Sequence, residues 1–194
     1  MNERYHRERH QTDLALRMIG FEARTNTIRQ CTGLSDDRIR KLCRQYFGGK
    51  NGESIRRRRG KSPKQVARFV KNAQHQLEAT TLMHLFVNYG VLRIDDARQF
   101  HCDWREADIG ISRRVCDAYA AYRLIHTDGA FSFEWAWNLL QSLARDEELA
   151  LANCQRCDSD YVRDRFALHF HVCPACEIRT ERRRRPGARQ YAGQ

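Results

Sequence analysis

Four of the eight cysteines form two pairs near the C-terminal end of the sequence. Cys154 and Cys157 make the first pair, Cys173 and Cys176 make the second, and the whole pattern is C-x2-C-x15-C-x2-C. Each C-x2-C turn presents two thiolates from one tight loop, and two such loops supply the four sulfurs of a tetrahedral zinc ion. A shell of four cysteines leaves no position for water or substrate. The spacing therefore predicts one structural Zn²⁺ that helps a small module to fold.

Two other interpretations of these cysteines remain open. They could be two unrelated pairs of small buried thiols, or one pair could serve redox chemistry. A redox C-x2-C pair is expected near a βαβ pattern, and neither pair here is surrounded by one. His169 and His171 could replace a thiolate in principle. Since four cysteines already fill the tetrahedron, we expect both histidines to be surface side chains.

Cysteine usage and the N-terminal residues predict a cytoplasmic protein. Residues 1–10 are polar and contain no apolar core of a signal peptide, and no run approaches the 18 apolar residues of a membrane span. We therefore expect no membrane contact and a reducing compartment, in which paired cysteines bind metal. The other cysteines show no ligand spacing, and we interpret them as small buried hydrophobic residues: Cys31, Cys43, Cys102 and Cys116.

The charge of the chain indicates a polyanionic partner. Lysine and arginine number 35 against 24 acidic residues, which gives a net charge of +11. Residues 54–71 contain eight basic and no acidic residues. We interpret this segment as an arm that binds DNA phosphates through counterion release, although a solvated loop would have the same composition. Its central basic residues are the predicted contacts: Arg56, Arg57, Arg58, Arg59 and Lys61.

A helix-turn-helix-like segment precedes this arm. A short helix is predicted over residues 22–31, followed by a turn that contains Gly33 and a second helix over residues 36–47 with Ser35 as its N-cap. The second helix has a predicted buried stripe of Ile39, Leu42, Cys43 and Tyr46. A simple pair of helices with a basic outer surface would fit equally. The specific prediction is that four basic residues off the stripe approach double-stranded DNA: Arg38, Arg40, Lys41 and Arg44.

The remaining pattern predicts a mainly α protein with a small C-terminal zinc ribbon. Apolar residues recur at helical spacing in residues 12–19, 63 to about 90, 94–100, 112–126 and 132–145. Residues 148–152 are predicted to form a strand, and residues 160–172 a β-hairpin between the cysteine pairs. We divide the chain into three parts: a helical domain for DNA binding and oligomerisation at 1–147 with a basic loop at 48–62, the zinc ribbon at 148–180, and a basic disordered tail at 181–194.

Signatures of the common enzyme classes are absent from the sequence. There is no glycine-rich phosphate loop, no HExxH, and no His-x-Glu before either cysteine pair. Acidic residues do not gather into a magnesium site. We therefore predict no catalytic residues and expect that the protein is not an enzyme.

The sequence resembles the FlhC family, the C subunit of the flagellar master transcriptional activator. One matching stretch is Leu14-Ala15 through Ile19 with Ala23-Arg24, and a second is Leu34-Ser35, Arg38-Ile39 and Lys41-Leu42 ending at Gly48. The third is the cluster of Cys154, Cys157, Cys173 and Cys176 with a basic stretch after it. The run Arg56–Arg59 departs from the family pattern.

The resemblance implies a mostly helical DNA-binding subunit whose four cysteines hold zinc. Members of the family act with a D subunit in a hetero-oligomer and activate flagellar operons by recruiting RNA polymerase. Related activators on conjugative elements switch on transfer genes, which is an alternative for this chain. Two alternatives of other classes are an RNA-binding zinc-ribbon protein and a metal-dependent nuclease with the ribbon as an accessory.

Overall fold

The computed structural model describes residues 3–48, 66–168 and 171–184, and the mainly α prediction is confirmed. Within these residues the helices are α1 Glu3–Gly20, α2 Thr25–Thr32, α3 Asp36–Phe47, α4 Ala73–Asn88, α5 Ile109–Ile125, α6 Phe133–Arg145 and α7 Pro174–Arg184. The strands are β1 Arg93–Ile94, β2 Phe100–His101, β3 Leu149–Asn153 and β4 Asp160–Asp164. Strand β1 pairs with β2, and β3 pairs with β4, both antiparallel.

An aromatic cluster at the start of α6 forms part of the hydrophobic core. Phe131, Phe133 and Trp137 are buried, and Phe69 contacts the Phe131 ring edge-on at 5.9 Å between centroids. Aromatic residues alternate with period two from Phe131 to Trp137. The helix nevertheless forms, because Phe133 and Trp137 are four residues apart and Leu140 continues the same buried side. The prediction of a helix with these aromatic residues in the core is confirmed.

The predicted helix over residues 94–100 is wrong, because Ile94 and Phe100 lie in the strands of the β1–β2 hairpin and residues 95–99 form its turn. Asp95 accepts a hydrogen bond from the backbone N–H of Gln99 through its Oδ1 (2.8 Å), and Arg98 has a φ of 62°. An aspartate side chain that bonds the backbone a few residues on stabilises a turn at the expense of a helix. The hairpin register places Ile94 opposite Phe100.

The long helix predicted from residue 63 to about residue 90 is also wrong in its first part. Residues 63–65 lie outside the described ranges, and Val66–Arg68 form a single 3₁₀ turn. Helix α4 begins only at Ala73, after Asn72, whose Oδ1 accepts from the backbone N–H of His75 (2.8 Å). An asparagine in extended conformation is a strong N-cap, so the chain starts a new helix here.

A buried carboxylate links α4 to α5 and to the loop before α6. Glu78 is 2% exposed, and its Oε2 accepts from the Tyr122 hydroxyl and from the backbone N–H of Ala130 (2.8 Å). Burial, followed by the hydrogen bond to Glu78, raises the pKa of Tyr122 above its ordinary value of 10.0. The folded chain therefore holds this phenol in its neutral form.

We expect Tyr122→Phe to lower the free energy of unfolding by about 2 kcal/mol at neutral pH, because the buried carboxylate loses a donor. The substitution should also reduce the loss of folding stability at alkaline pH. In the wild type the unfolded chain ionises Tyr122 first as pH rises, so stability is lost above about pH 10. Urea unfolding between neutral pH and pH 11 checks both effects. Tyr46→Phe at an exposed site serves as the control, and an equal response of the two variants would contradict the assignment.

Candidate metal centre

The first cysteine pair lies in the turn of the β3–β4 hairpin. The backbone N–H of Cys154 donates to the Ser159 carbonyl (3.0 Å), and Asp158, with a φ of 56°, donates back to the Cys154 carbonyl (2.9 Å). The Asn153 side chain closes the turn through the Asp158 carbonyl (2.7 Å). The turn is therefore tight and places both thiols on one side.

The predicted hairpin between the cysteine pairs, over residues 160–172, is wrong. Strand β4 covers only Asp160–Asp164. It pairs with the preceding strand β3, from Asn153 opposite Asp160 to Leu149 opposite Asp164. The hairpin therefore encloses the first cysteine pair. Four of the five residues of β3 are buried. Its partner β4 contributes the buried residues Tyr161 and Val162, so the pairing places apolar residues of both strands in the interior.

The second cysteine pair lies at the start of α7. Pro174 is the first helical residue, a position that suits proline because its missing N–H has no helical partner there. Cys173 precedes it, and its Sγ accepts from the backbone N–H of Cys176 (3.4 Å), as a serine N-cap would. The module thus combines one hairpin with one helix. Because α7 runs to Arg184, residues 181–184 of the predicted disordered tail are helical, and the rest of that tail lies outside the described ranges.

The four sulfurs converge on one point. All four Sγ atoms lie within 4.8 Å of one another, and Cys157 and Cys173 are 3.7 Å apart. Tetrahedral coordination with zinc–sulfur bonds of about 2.3 Å separates the sulfurs by about 3.8 Å. Cys154, Cys173 and Cys176 are buried, whereas Cys157 is exposed. The predicted ligand set therefore forms one compact site that can hold a metal ion such as zinc.

The backbone around the site favours a thiolate at Cys154. Burial raises the pKa of this thiol, but hydrogen bonds from the backbone N–H groups of Cys173 (3.2 Å), Arg156 (3.4 Å) and Cys157 outweigh burial and lower it to about 6. Burial raises the pKa of Cys173 to about 12, with the neighbouring thiols adding to the effect. Metal ligation by cysteine requires the thiolate, and a bound cation supplies the positive charge that four thiolates need.

Among the described residues, no other histidine or cysteine belongs to this cluster. His171 is exposed, and its carbonyl accepts from the backbone N–H of Gln155 (2.9 Å), while His169 lies outside the described residues. Cys31 and Cys116 are buried, as predicted, and Cys43 and Cys102 are half-buried. Among the residues that the structure describes, no second group of histidine, cysteine and acidic side chains could hold a metal ion.

Helix α4 binds the open edge of the β3–β4 hairpin with polar side chains. Gln76 donates to the Val162 carbonyl (2.9 Å), Thr80 Oγ1 accepts from the Val162 N–H (3.2 Å), and His84 Nε2 lies 2.9 Å from the Asp160 carbonyl oxygen. None of these three residues was predicted to have this role. The available signal was the spacing of Gln76, Thr80 and His84, which are four residues apart and share one side of a helix.

The helix-turn-helix-like segment forms as a pair of helices with a tight turn. Gly33 ends α2 with a φ of 72°, and the Ser35 hydroxyl accepts from the backbone N–H of Arg38 (3.3 Å), which confirms the predicted N-cap. Ile39 and Leu42 are buried as predicted. Tyr46 is 58% exposed, so the predicted buried stripe is shorter than four residues.

The predicted DNA-contacting residues of α3 are all exposed. Arg40 is paired with Asp37 at 3.0 Å and lies 4.0 Å from Asp36, and these carboxylates weaken its attraction for a DNA phosphate. No ion pair within the described ranges neutralises the other three, Arg38, Lys41 and Arg44. The predicted contacts of the basic arm, Arg56, Arg57, Arg58, Arg59 and Lys61, lie outside the described residues.

Comparison with protein-family models and with curated proteins found no match for this chain. In the part of the chain that the structure describes, no helix is both long enough and apolar enough to cross a bilayer.

Proposed function

We propose that this protein is a zinc-binding and DNA-binding subunit of a transcriptional activator, with no enzymatic activity of its own. The exposed basic surface of α3 carries the DNA assignment. Arg38, Lys41 and Arg44 extend into solvent from the second helix of a helix-turn-helix-like pair, which is the helix that enters the major groove in proteins of that type. The four-cysteine site supports a structural role for the metal, because it offers no open coordination position.

The partner and the promoter follow from the resemblance to the FlhC family. We propose that the chain acts in the cytoplasm in a hetero-oligomer with a D-type subunit, and that the complex recruits RNA polymerase to flagellar operons. Activation of conjugative-transfer genes is the alternative. A reading frame for a small helical D-type subunit next to this one would support the assignment.

The decisive binding assay compares a flagellar promoter duplex with a shuffled duplex, with and without the co-expressed D-type subunit. Equal affinity for both duplexes in both conditions would contradict sequence-specific activation.

Removal of two basic charges from α3 is expected to weaken DNA binding and its salt dependence. Each phosphate contact contributes about 0.9 to the slope of log affinity against log salt. Arg38→Gln/Lys41→Gln should therefore lower the slope by up to about 1.8 between about 50 and 200 mM salt. Fluorescence anisotropy with a labelled duplex measures this change. Arg93→Gln/Arg114→Gln removes the same formal charge from exposed positions in β1 and α5, where Arg93 pairs with Asp103 (3.2 Å), and should leave the slope unchanged.

The same assay separates the alternative functions. Tighter binding to an RNA duplex of the same sequence than to DNA would favour an RNA-binding protein. Cleavage of either duplex with added Mg²⁺ or Mn²⁺ would indicate a nuclease and overturn the non-enzymatic assignment.

A further inference from the structure

Helix α7 carries four arginines that neither the metal centre nor the core uses. They are exposed, and no ion pair among the described residues neutralises them: Arg179, Arg182, Arg183 and Arg184. Arginines in the last turn of a helix interact favourably with its dipole, which gives a structural reason for three of the four. Arg179 lies more than one turn before the end of α7, so the dipole does not explain it.

Two sides of α7 are occupied by contacts within the protein. On one side Thr180 Oγ1 accepts from Arg156, which lies between Cys154 and Cys157 (2.7 Å), and Cys176 belongs to the sulfur cluster. On another side α7 packs against α4, and Ile178 lines the cleft between the two helices beside Asn72 and Ala73. These contacts fix the rotation of α7 about its own axis.

Arg179 and Arg183 lie on a different side of α7 from its acidic residues. Glu177 and Glu181 line the clefts beside the first cysteine pair and beside α4. Arg179 and Arg183 line neither of these clefts. They are four residues apart and therefore share one side of the helix, whereas Arg182 and Arg184 each line one of the clefts with both glutamates. The acidic side chains are thus turned away from this surface, which we call the α7 arginine face and define as Arg179 and Arg183.

The α7 arginine face has the properties of a phosphate-binding surface. Neighbouring guanidinium groups on one helix side repel each other, and a polyanion relieves that repulsion. Arginine suits this role because its planar fork of donors matches phosphate oxygens. The orientation of this face relative to the sulfur cluster is fixed, because Cys173 and Cys176 at the start of α7 both belong to that cluster.

We propose that the α7 arginine face binds backbone phosphates of the same duplex DNA that α3 contacts. This proposal rests on the proposed DNA-binding function and extends it with a second contact, made by the cysteine module. Contacts to phosphate position a protein on the duplex without reading its sequence. The effect of this face should therefore be equal on promoter and shuffled DNA.

The test compares Arg179→Gln/Arg183→Gln with the wild type and with Arg93→Gln/Arg114→Gln, using labelled duplexes of promoter and shuffled sequence. We expect the α7 variant to lower the salt slope by up to about 1.8 on both duplexes, and the control pair to leave it unchanged. Arg179→Lys/Arg183→Lys keeps both charges and should keep most of the slope. Circular dichroism establishes that the glutamine variant retains its helix content.

Each other outcome overturns the proposal in a distinguishable way. If the α7 variant keeps the wild-type slope while Arg38→Gln/Lys41→Gln lowers it, DNA binding stands and the α7 arginine face is excluded. If the wild type binds neither duplex, the proposed function fails together with this inference. If the lysine variant loses as much slope as the glutamine variant and both lose helix content, the arginines have a structural role. A change confined to an RNA duplex would assign the face to RNA instead.

Discussion

Replacement of Cys154 by serine is expected to abolish metal binding and to destabilise the helical body as well as the cysteine module. Cys154 is fully buried, and three backbone N–H groups donate to its sulfur. A serine hydroxyl in its place leaves three thiolates and a poor fourth ligand. Structural zinc in small modules contributes about 10–16 kcal/mol of apparent binding free energy, which is coupled to folding. Most of that free energy should be lost.

The loss should spread because the hairpin belongs to the main hydrophobic core. Leu149, Leu151 and Val162 pack with the helices, and α4 satisfies both backbone polar groups of Val162 through Gln76 and Thr80. An unfolded hairpin would leave these groups of α4 without partners and expose apolar surface. We therefore expect one cooperative thermal transition in the wild type and a transition at lower temperature, with reduced helix content, in Cys154→Ser.

Elemental analysis and circular dichroism check this expectation, with Cys102→Ser as the matched control. Cys102 is a half-buried cysteine outside the cluster, so its serine variant should keep one metal ion per chain and a nearly unchanged melting temperature. Zinc retained at full occupancy in the double variant Cys154→Ser/Cys173→Ser would refute the assignment of these residues as ligands. Reduced metal content in Cys102→Ser would show that general misfolding, not ligation, controls metal content.

Features encoded within a few residues could be predicted from the sequence. The two C-x2-C turns, the N-cap at Ser35 and helix α6 depend on spacings and side chains that act locally, and the structure contains all three. The ligand set was predictable because four thiols at this spacing have few alternatives to a shared metal.

Features that depend on distant residues could not be predicted in the same way. The apolar stripe that predicted a helix at 94–100 is equally compatible with a hairpin, and the Asp95 turn decides between them. Strand β4 could pair with later residues within 160–172 or with the preceding strand β3. The burial of β3 favours the pairing with β3. No local signal specifies that choice, because it is set by packing against α4.

The start of α2 is a further case in which a distant residue replaces a local signal. Arg24 is the N-cap residue, and its side chain makes no cap hydrogen bond. Glu134 of α6 instead accepts from the Arg24 backbone N–H (2.7 Å) through Oε1 and from the Thr27 hydroxyl (3.1 Å) through Oε2. In a capping box, the third residue of the helix accepts from the N-cap N–H. Here the third residue is Thr27, and the carboxylate of Glu134 from α6 accepts from the N-cap N–H in its place.

Glu134 should therefore fix the position of the helix-turn-helix-like pair on the core. It is 3% exposed, and its charge lies at the positive end of the α2 dipole, with Arg24 Nε 4.0 Å away. Glu134→Ala leaves buried donors without an acceptor and opens a cavity. We expect it to lower the free energy of unfolding by about 3–5 kcal/mol. Glu134→Gln keeps one carbonyl acceptor and should cost less, because only the charge and one acceptor are lost.

Urea unfolding and amide hydrogen exchange separate a local effect at α2 from a general one. In Glu134→Gln, exchange should accelerate first in α2 and α3, while α4 and α5 stay protected, because the lost contacts hold α2 alone. Glu106→Ala, at an exposed acidic site, controls for the change in charge. A Glu134→Ala variant within about 0.5 kcal/mol of the wild type would contradict this role, since surface substitutions alone have effects of that size. If α2 loosens as expected, the basic surface of α3 loses its fixed orientation, and DNA affinity should fall without the removal of any basic residue.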